Sequence, residues 1–242
     1  MMWLAWATFA IAALLAATRL PAAIRGRSRA LFVLFALMAI AVLLSIQGPY
    51  LALDELLGGK NFANLVIRFT LFGLALLLAL RVAAAFGAHR ATKILTGPWG
   101  LGALAACSAL LMASFVLAGP APSQVGFAGQ NDWWTAVYGT VGRLYPTFTG
   151  VVLLPALSKA AASRGRPSLR IAAGLLGAGY VLLAATNIIT VLPPAALAMA
   201  QVLNYGTILL VFAGLTLVWA SSLVVRLRDE RHSSLRRKKS IH

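Results

Sequence analysis

The sequence predicts an all-α, polytopic membrane protein: a bundle of seven transmembrane helices with the amino terminus outside and the carboxy terminus in the cytoplasm. Three observations carry this reading. Apolar residues make up 61% of the 242 and charged residues only 11%, far from the balance of a soluble domain. Seven apolar runs recur along the chain, each close to the ~20 residues needed to cross a bilayer. The basic residues also alternate between loops. All of the 21 Lys and Arg except Lys60, Arg68 and Arg143 fall on one side of a seven-span arrangement, and the positive-inside rule makes that side cytoplasmic. The net charge of +16 therefore reports topology, and nucleic acid is not expected as a partner.

Taken in order, the runs are Met2–Thr18, Leu31–Gln47, Phe62–Ala84, Trp99–Leu117, Trp133–Leu157, Ile171–Val191 and Leu197–Val225. The first lacks the positive start of a secretory signal, so it is read as a helix despite the small residues near LAATRLPAA. Arg19, Arg25, Arg27 and Arg29 follow it on the inner side. The second run leads outward to Ser45, Gln47 and Tyr50, and then to a loop carrying Asp54 and Glu55. Arg81, His89, Arg90 and Lys93 surround the third connection, and Lys159, Arg164, Arg166 and Arg170 fill the fifth. Asp132 and the Pro193-Pro194 turn lie outside. Residues 1–225 thus form one transmembrane domain and 226–242 a basic cytoplasmic tail. That tail ends in Arg236, Arg237, Lys238 and Lys239, a run that fixes topology and suits anionic lipid headgroups.

Several membrane chemistries have no residues to perform them. The lysines lie in loops, at helix ends or in the tail, leaving none for a retinal Schiff base. His89, His232 and His242 lie outside the spans, where they cannot hold a haem between helices. The one cysteine, Cys107, sits in an apolar run. No HExxH or GxSxG motif and no carboxylate within a span appears, so neither hydrolysis nor a carboxylate proton relay is expected. The expectation is a non-enzymatic protein without cofactor or metal.

The polar residues inside the runs are concentrated toward the outer side. Asn61, Asn64 and Arg68 are three and four apart and share a helix face. Thr135, Tyr138, Thr140 and Arg143 descend through the fifth run, with Arg143 about 15 Å from its start at ~1.5 Å per residue. An Arg at that depth costs roughly 2.5–3.5 kcal/mol unless it faces a protein interior or water. Pro146, three residues on, frees the carbonyl of Gly142. Thr186, Asn187 and Thr190 occupy the outer part of the sixth run, and Gln201, Asn204 and Tyr205 that of the seventh. The expected ligand-binding set is Arg143, Arg68, Asn64, Asn61, Tyr138, Asn187, Asn204 and Gln201, facing an outward-opening polar cavity. Trp133 and Trp134 read as an interfacial belt. Gly139, Gly142, Ala173 and Gly177 read as sites of close helix packing.

The stretch LALDELLGGKNFANLVIR, through Asp54, Leu56, Gly58, Asn61 and Ala63, resembles a high-GC bacterial family of seven-helix membrane proteins of unassigned function, commonly labelled transporters. The aromatic start of the fifth run and the basic loop ending in Leu169-Arg170 are similar too. The resemblance implies this architecture in a bacterial inner membrane, and members usually carry a longer cytoplasmic region after the seventh span. Two Arg within the spans favour a small anionic ligand, in a transporter or its solute-binding subunit. The alternative is a sensor or accessory subunit that docks a cytosolic or membrane partner through its basic inner loops; a protein partner or a homo-oligomer is compatible with either reading.

Overall fold

A computed structural model describes residues 2–26, 29–119, 122–123, 133–189, 203, 206–207, 209–211, 213–218 and 220–221. No strand occurs among them. The helices are α1 (Met2–Ile24), α2 (Arg29–Leu43), α3 (Gln47–Leu56), α4 (Phe62–Ala85), α5 (His89–Thr96), α6 (Pro98–Ala118), α7 (Trp133–Ala162) and α8 (Pro167–Ile189), followed by a shorter apolar helix over Leu209–Val218.

Among the described residues four helices are long and apolar enough to cross a membrane, within α1, α4, α6 and α8, and a fifth span results if the bent pair α2–α3 is counted as one. The chain is thus a multi-pass membrane protein with four to five candidate spans. Lipid exposure fits this. Leu14 and Ile24 on α1 and Val116 on α6 are each 66% exposed or more, and in a bilayer these faces meet acyl chains. The fifth predicted run is realised as α7, whose 30 residues extend about 45 Å. Its length suffices to span, but Thr135, Tyr138, Thr140, Arg143 and Tyr145 lower its apolar character. The seventh run lies partly outside the described residues.

Two expectations are corrected. The second run is not a straight span: α2 stops at Leu43 and α3 leaves at 95°. Leu44, Ser45 and Ile46 form the break, and Gly48-Pro49 falls in the first turn of α3, where the missing N–H of a proline is tolerated. The outer loop with Asp54 and Glu55 is accordingly helical, and Asp54 is buried rather than solvated. The third connection, likewise read as a loop, contains α5.

The chain divides into two compact units. One comprises residues 1–82 and 90–149, the other 83–89 and 150–242. In the first, α1 packs on α2, and Leu65 and Phe72 of α4, Leu111 and Phe115 of α6, and Tyr138, Val141 and Tyr145 of α7 build the core. Its aromatic rings interlock, Phe62 on Phe115 at 5.3 Å, Phe115 on Tyr138 at 5.8 Å and Phe72 on Tyr145 at 5.4 Å between centroids. In the second, glycines set the helix spacing. A Cβ at Gly150 would lie 2.2 Å from Tyr180, one at Gly179 2.7 Å from Val211, and one at Gly214 2.6 Å from Leu176. Ala173 is buried there as expected. Gly177 has only an ordinary contact with Leu157, and Gly139 meets no neighbour, so neither is a tight crossing point.

Candidate functional site

The first unit holds a buried polar array where α3, α4 and α7 meet. It begins with the turn between α3 and α4. The Gly58 N–H donates to the Glu55 carbonyl (3.1 Å) and the Gly59 N–H to the Asp54 carbonyl (2.7 Å). This is the paired closure of a Schellman motif, which requires a left-handed residue after the helix end. Gly58 and Gly59 supply φ of +102° and +67°, and Asn61 follows at +64°, an excursion that Asn tolerates better than most residues.

Having closed α3 with its main chain, Asp54 opens α4 with its side chain. Its carboxylate accepts the N–H of Asn61 and the N–H of Ala63, each at 2.9 Å, and the hydroxyl of Ser123. The first four N–H groups of a helix have no partner within it, and a carboxylate at that end also meets the favourable pole of the helix dipole. The charge of Asp54, fully buried, is therefore stabilised by helix donors. Asn61, expected as a ligand contact, forms this turn and accepts the Tyr50 hydroxyl through Oδ1.

One turn deeper, Asn64 accepts the Tyr138 hydroxyl at 3.0 Å, and both residues are buried. The Arg68 guanidinium lies over the Tyr138 ring, 5.6 Å from its centroid, a cation–π geometry. Its side chain then runs across α7 at Gly142, where a Cβ would stand 2.8 to 3.0 Å from Arg68 Cδ, Nη1 and Cζ. Gly142 thus makes room for a guanidinium and not for a helix, which refines the packing role expected of it. Arg143, half-buried, is the next residue of α7.

Three predicted site residues therefore converge, Asn64, Arg68 and Tyr138, with Asn61 in the adjoining turn and Arg143 next to Gly142 along α7. Asn187 belongs to the second unit, where its amide donates to the Leu183 carbonyl at 3.3 Å and the neighbouring Thr186 hydroxyl to that of Leu182 at 2.9 Å. Gln201, Asn204 and the tail residues Arg236, Arg237, Lys238 and Lys239 lie outside the described residues. Sequence reasoning missed Tyr50, Ser123 and the buried role of Asp54. The D-x-L-x-G-x-x-N-x-A pattern did contain the signal, since Asp54, Gly58, Asn61 and Ala63 are the residues that build the turn.

Chemically, the array offers guanidinium N–H donors held against an aromatic ring and the backbone of α7. Such donors match a carboxylate or phosphate in a planar, two-point fashion. Among the described residues no three His, Cys, Asp or Glu side chains gather where they could hold a metal ion. No family model, curated protein or solved structure matches this chain.

Proposed function

We propose that this protein is a seven-span protein of a bacterial inner membrane, amino terminus outside, that binds a small anionic solute at Arg68 and Arg143 as a transporter or its solute-binding subunit. The observation that carries the reading is a guanidinium seated on an aromatic face and a glycine backbone, with a second Arg one residue beyond that glycine on the same helix. Arg68 is seated on Gly142 and over Tyr138, and Arg143 lies next along α7. Guanidinium groups present planar N–H donors that match a carboxylate or phosphate at two points. The alternation of basic loops supports the topology. Beneath the polar array the α4–α7 interface is closed by the packed rings of Phe72 and Tyr145, a floor that also suits a sensor or accessory subunit, in which binding need not lead to passage.

The test is thermal unfolding of the purified protein with a panel of small carboxylates, phosphate and sulfate. A ligand bound to the folded state at about 100 times its Kd adds roughly 2.7 kcal/mol of stability. That shift should appear with at least one anion and vanish in Arg68→Leu and Arg143→Leu. Without ligand, Arg143→Leu should melt no lower than the parent, since it removes a charge from within a span. A loss of several degrees in ligand-free Arg143→Leu would show that the residue is structural and overturn the reading.

A further inference from the structure

The connection between α4 and α6 holds an arrangement that the anion site does not use. Both helices are candidate spans, so residues 86–97 must lie at one membrane face whichever way the protein is oriented. Within this short connection the chain forms α5 instead of an irregular loop. Ala91 and Leu95, four apart, are buried, Leu95 completely. Arg90 and Lys93, three apart and hence neighbours on the other face, are exposed. The junction with α6 is tight: a Cβ at Gly97 would stand 2.5 Å from the Lys93 carbonyl oxygen, and one at Gly100 2.2 Å from that of Leu95. Pro98 starts α6 directly after Gly97. The next residue is Trp99, 80% exposed, and tryptophan prefers the headgroup level of a bilayer.

These features fix two cations at the membrane surface. Leu95 anchors the helix on the protein, the close approach at Gly97 and Gly100 ties its end to the start of α6, and Trp99 marks the depth at which the charges sit. We infer that the exposed face of α5, through Arg90 and Lys93 with Trp99 beside them, binds the headgroups of anionic phospholipids. Negative headgroup phosphates complement this face in charge, and the neutral headgroup of phosphatidylcholine does not. Each basic residue near such a surface contributes on the order of five-fold to lipid preference, so the pair together accounts for about 25-fold at low salt.

The full-length protein in nanodiscs tests this, with phosphatidylcholine alone or mixed with phosphatidylglycerol, reading the melting temperature and the lipids retained in native mass spectrometry. The parent should melt higher in the mixed discs, retain phosphatidylglycerol preferentially, and lose both effects as salt rises. R90Q/K93Q should keep the parent's melting temperature in phosphatidylcholine, because both side chains are exposed, and lose most of the lipid-dependent shift and retention. The charge-preserving swap R90K/K93R should keep them. Neutralising Arg236 to Lys239 separates any contribution of the tail. Full retention of phosphatidylglycerol by R90Q/K93Q, or equal loss in the charge-preserving swap, would overturn the inference.

Discussion

Replacing Asp54 by Ala should damage the fold more than any other single polar substitution in the first unit. The carboxylate accepts two backbone N–H groups at 2.9 Å and the Ser123 hydroxyl, and none of it is exposed. A hydrogen bond to a charged group contributes about 1.5–3 kcal/mol, and losing a helix cap costs about 1 kcal/mol. These terms overlap, because the two N–H groups are themselves the capped donors, so the net loss is about 3–5 kcal/mol. Two backbone donors would lose their acceptor. For a chain of this length each kcal/mol moves the midpoint by roughly 2–4 °C, so Asp54→Ala should melt about 10 °C below the parent. Asp54→Asn keeps one acceptor oxygen and should fall between them. A thiol-reactive dye follows the unfolding conveniently, since the only cysteine, Cys107, is half-buried in the same unit. If Asp54→Ala melts within about 2 °C of the parent, the carboxylate is not the cap of α4.

The glycines give a paired prediction, read by melting temperature and anion-induced shift. Gly142→Ala meets only the flexible Arg68 side chain and gains about 1 kcal/mol of helix propensity, so stability should hold while anion binding falls. Gly150→Ala meets the ring and Cβ of Tyr180 and should lose about 1–3 kcal/mol by overpacking. Tyr138→Phe removes the hydrogen bond to Asn64 but keeps the ring beneath Arg68, and should lower stability by about 1 kcal/mol without abolishing the anion response. Topology is tested by cysteines at Pro122, which is exposed, and at Ser233, in a Cys107→Ala background. An impermeant thiol reagent on intact cells should label only position 122, and labelling at 233 would reverse the orientation.

The apolar runs were legible because the bilayer imposes a length on them. α1, α4, α6 and α8 begin or end within a few residues of where composition alone places them. The break between α2 and α3 was harder to read, although Gly48-Pro49 is a turn signal, because the apolar run continues through it and hides the change of direction. The burial of Asp54 was not legible. In LALDELLGG an acid beside a second acid and two glycines looks like a solvated loop. What buries it is the N-terminus of α4, and only the folded turn brings that N-terminus to the carboxylate. The seat of Arg68 on Gly142 was hidden for the same reason. The two residues are far apart in sequence, and a glycine in an apolar helix reads as a helix contact whichever neighbour fills its space. The shared placement of Asn64 and Arg68 on α4 was readable because helical periodicity is local, whereas Asn61, expected on the same face, lies in the left-handed turn before the helix.

The buried carboxylate bears on the argument for an anion. From the sequence, an anionic ligand is favoured because no acid lies within the spans to balance two Arg, and Asp54 then turns out to be buried in the same unit as both. Its position shows why it does not supply that balance. Its oxygens hold the N–H groups of Asn61 and Ala63 at the very start of α4, whereas Arg68 lies five residues beyond Ala63, about 7.5 Å further along the helix axis at ~1.5 Å per residue. The helix N-terminus is itself equivalent to roughly half a positive charge, which offsets part of the carboxylate locally. Asp54 thus neutralises the end of a helix, while Arg68 is held in place by an aromatic face and a glycine backbone, both of which position a cation without cancelling its charge. An acid placed one turn deeper on α4 would have made Arg68 half of an ion pair. Placed where it is, the acid fixes the turn from which α4 carries Asn64 and Arg68 to Tyr138 and Gly142 of α7.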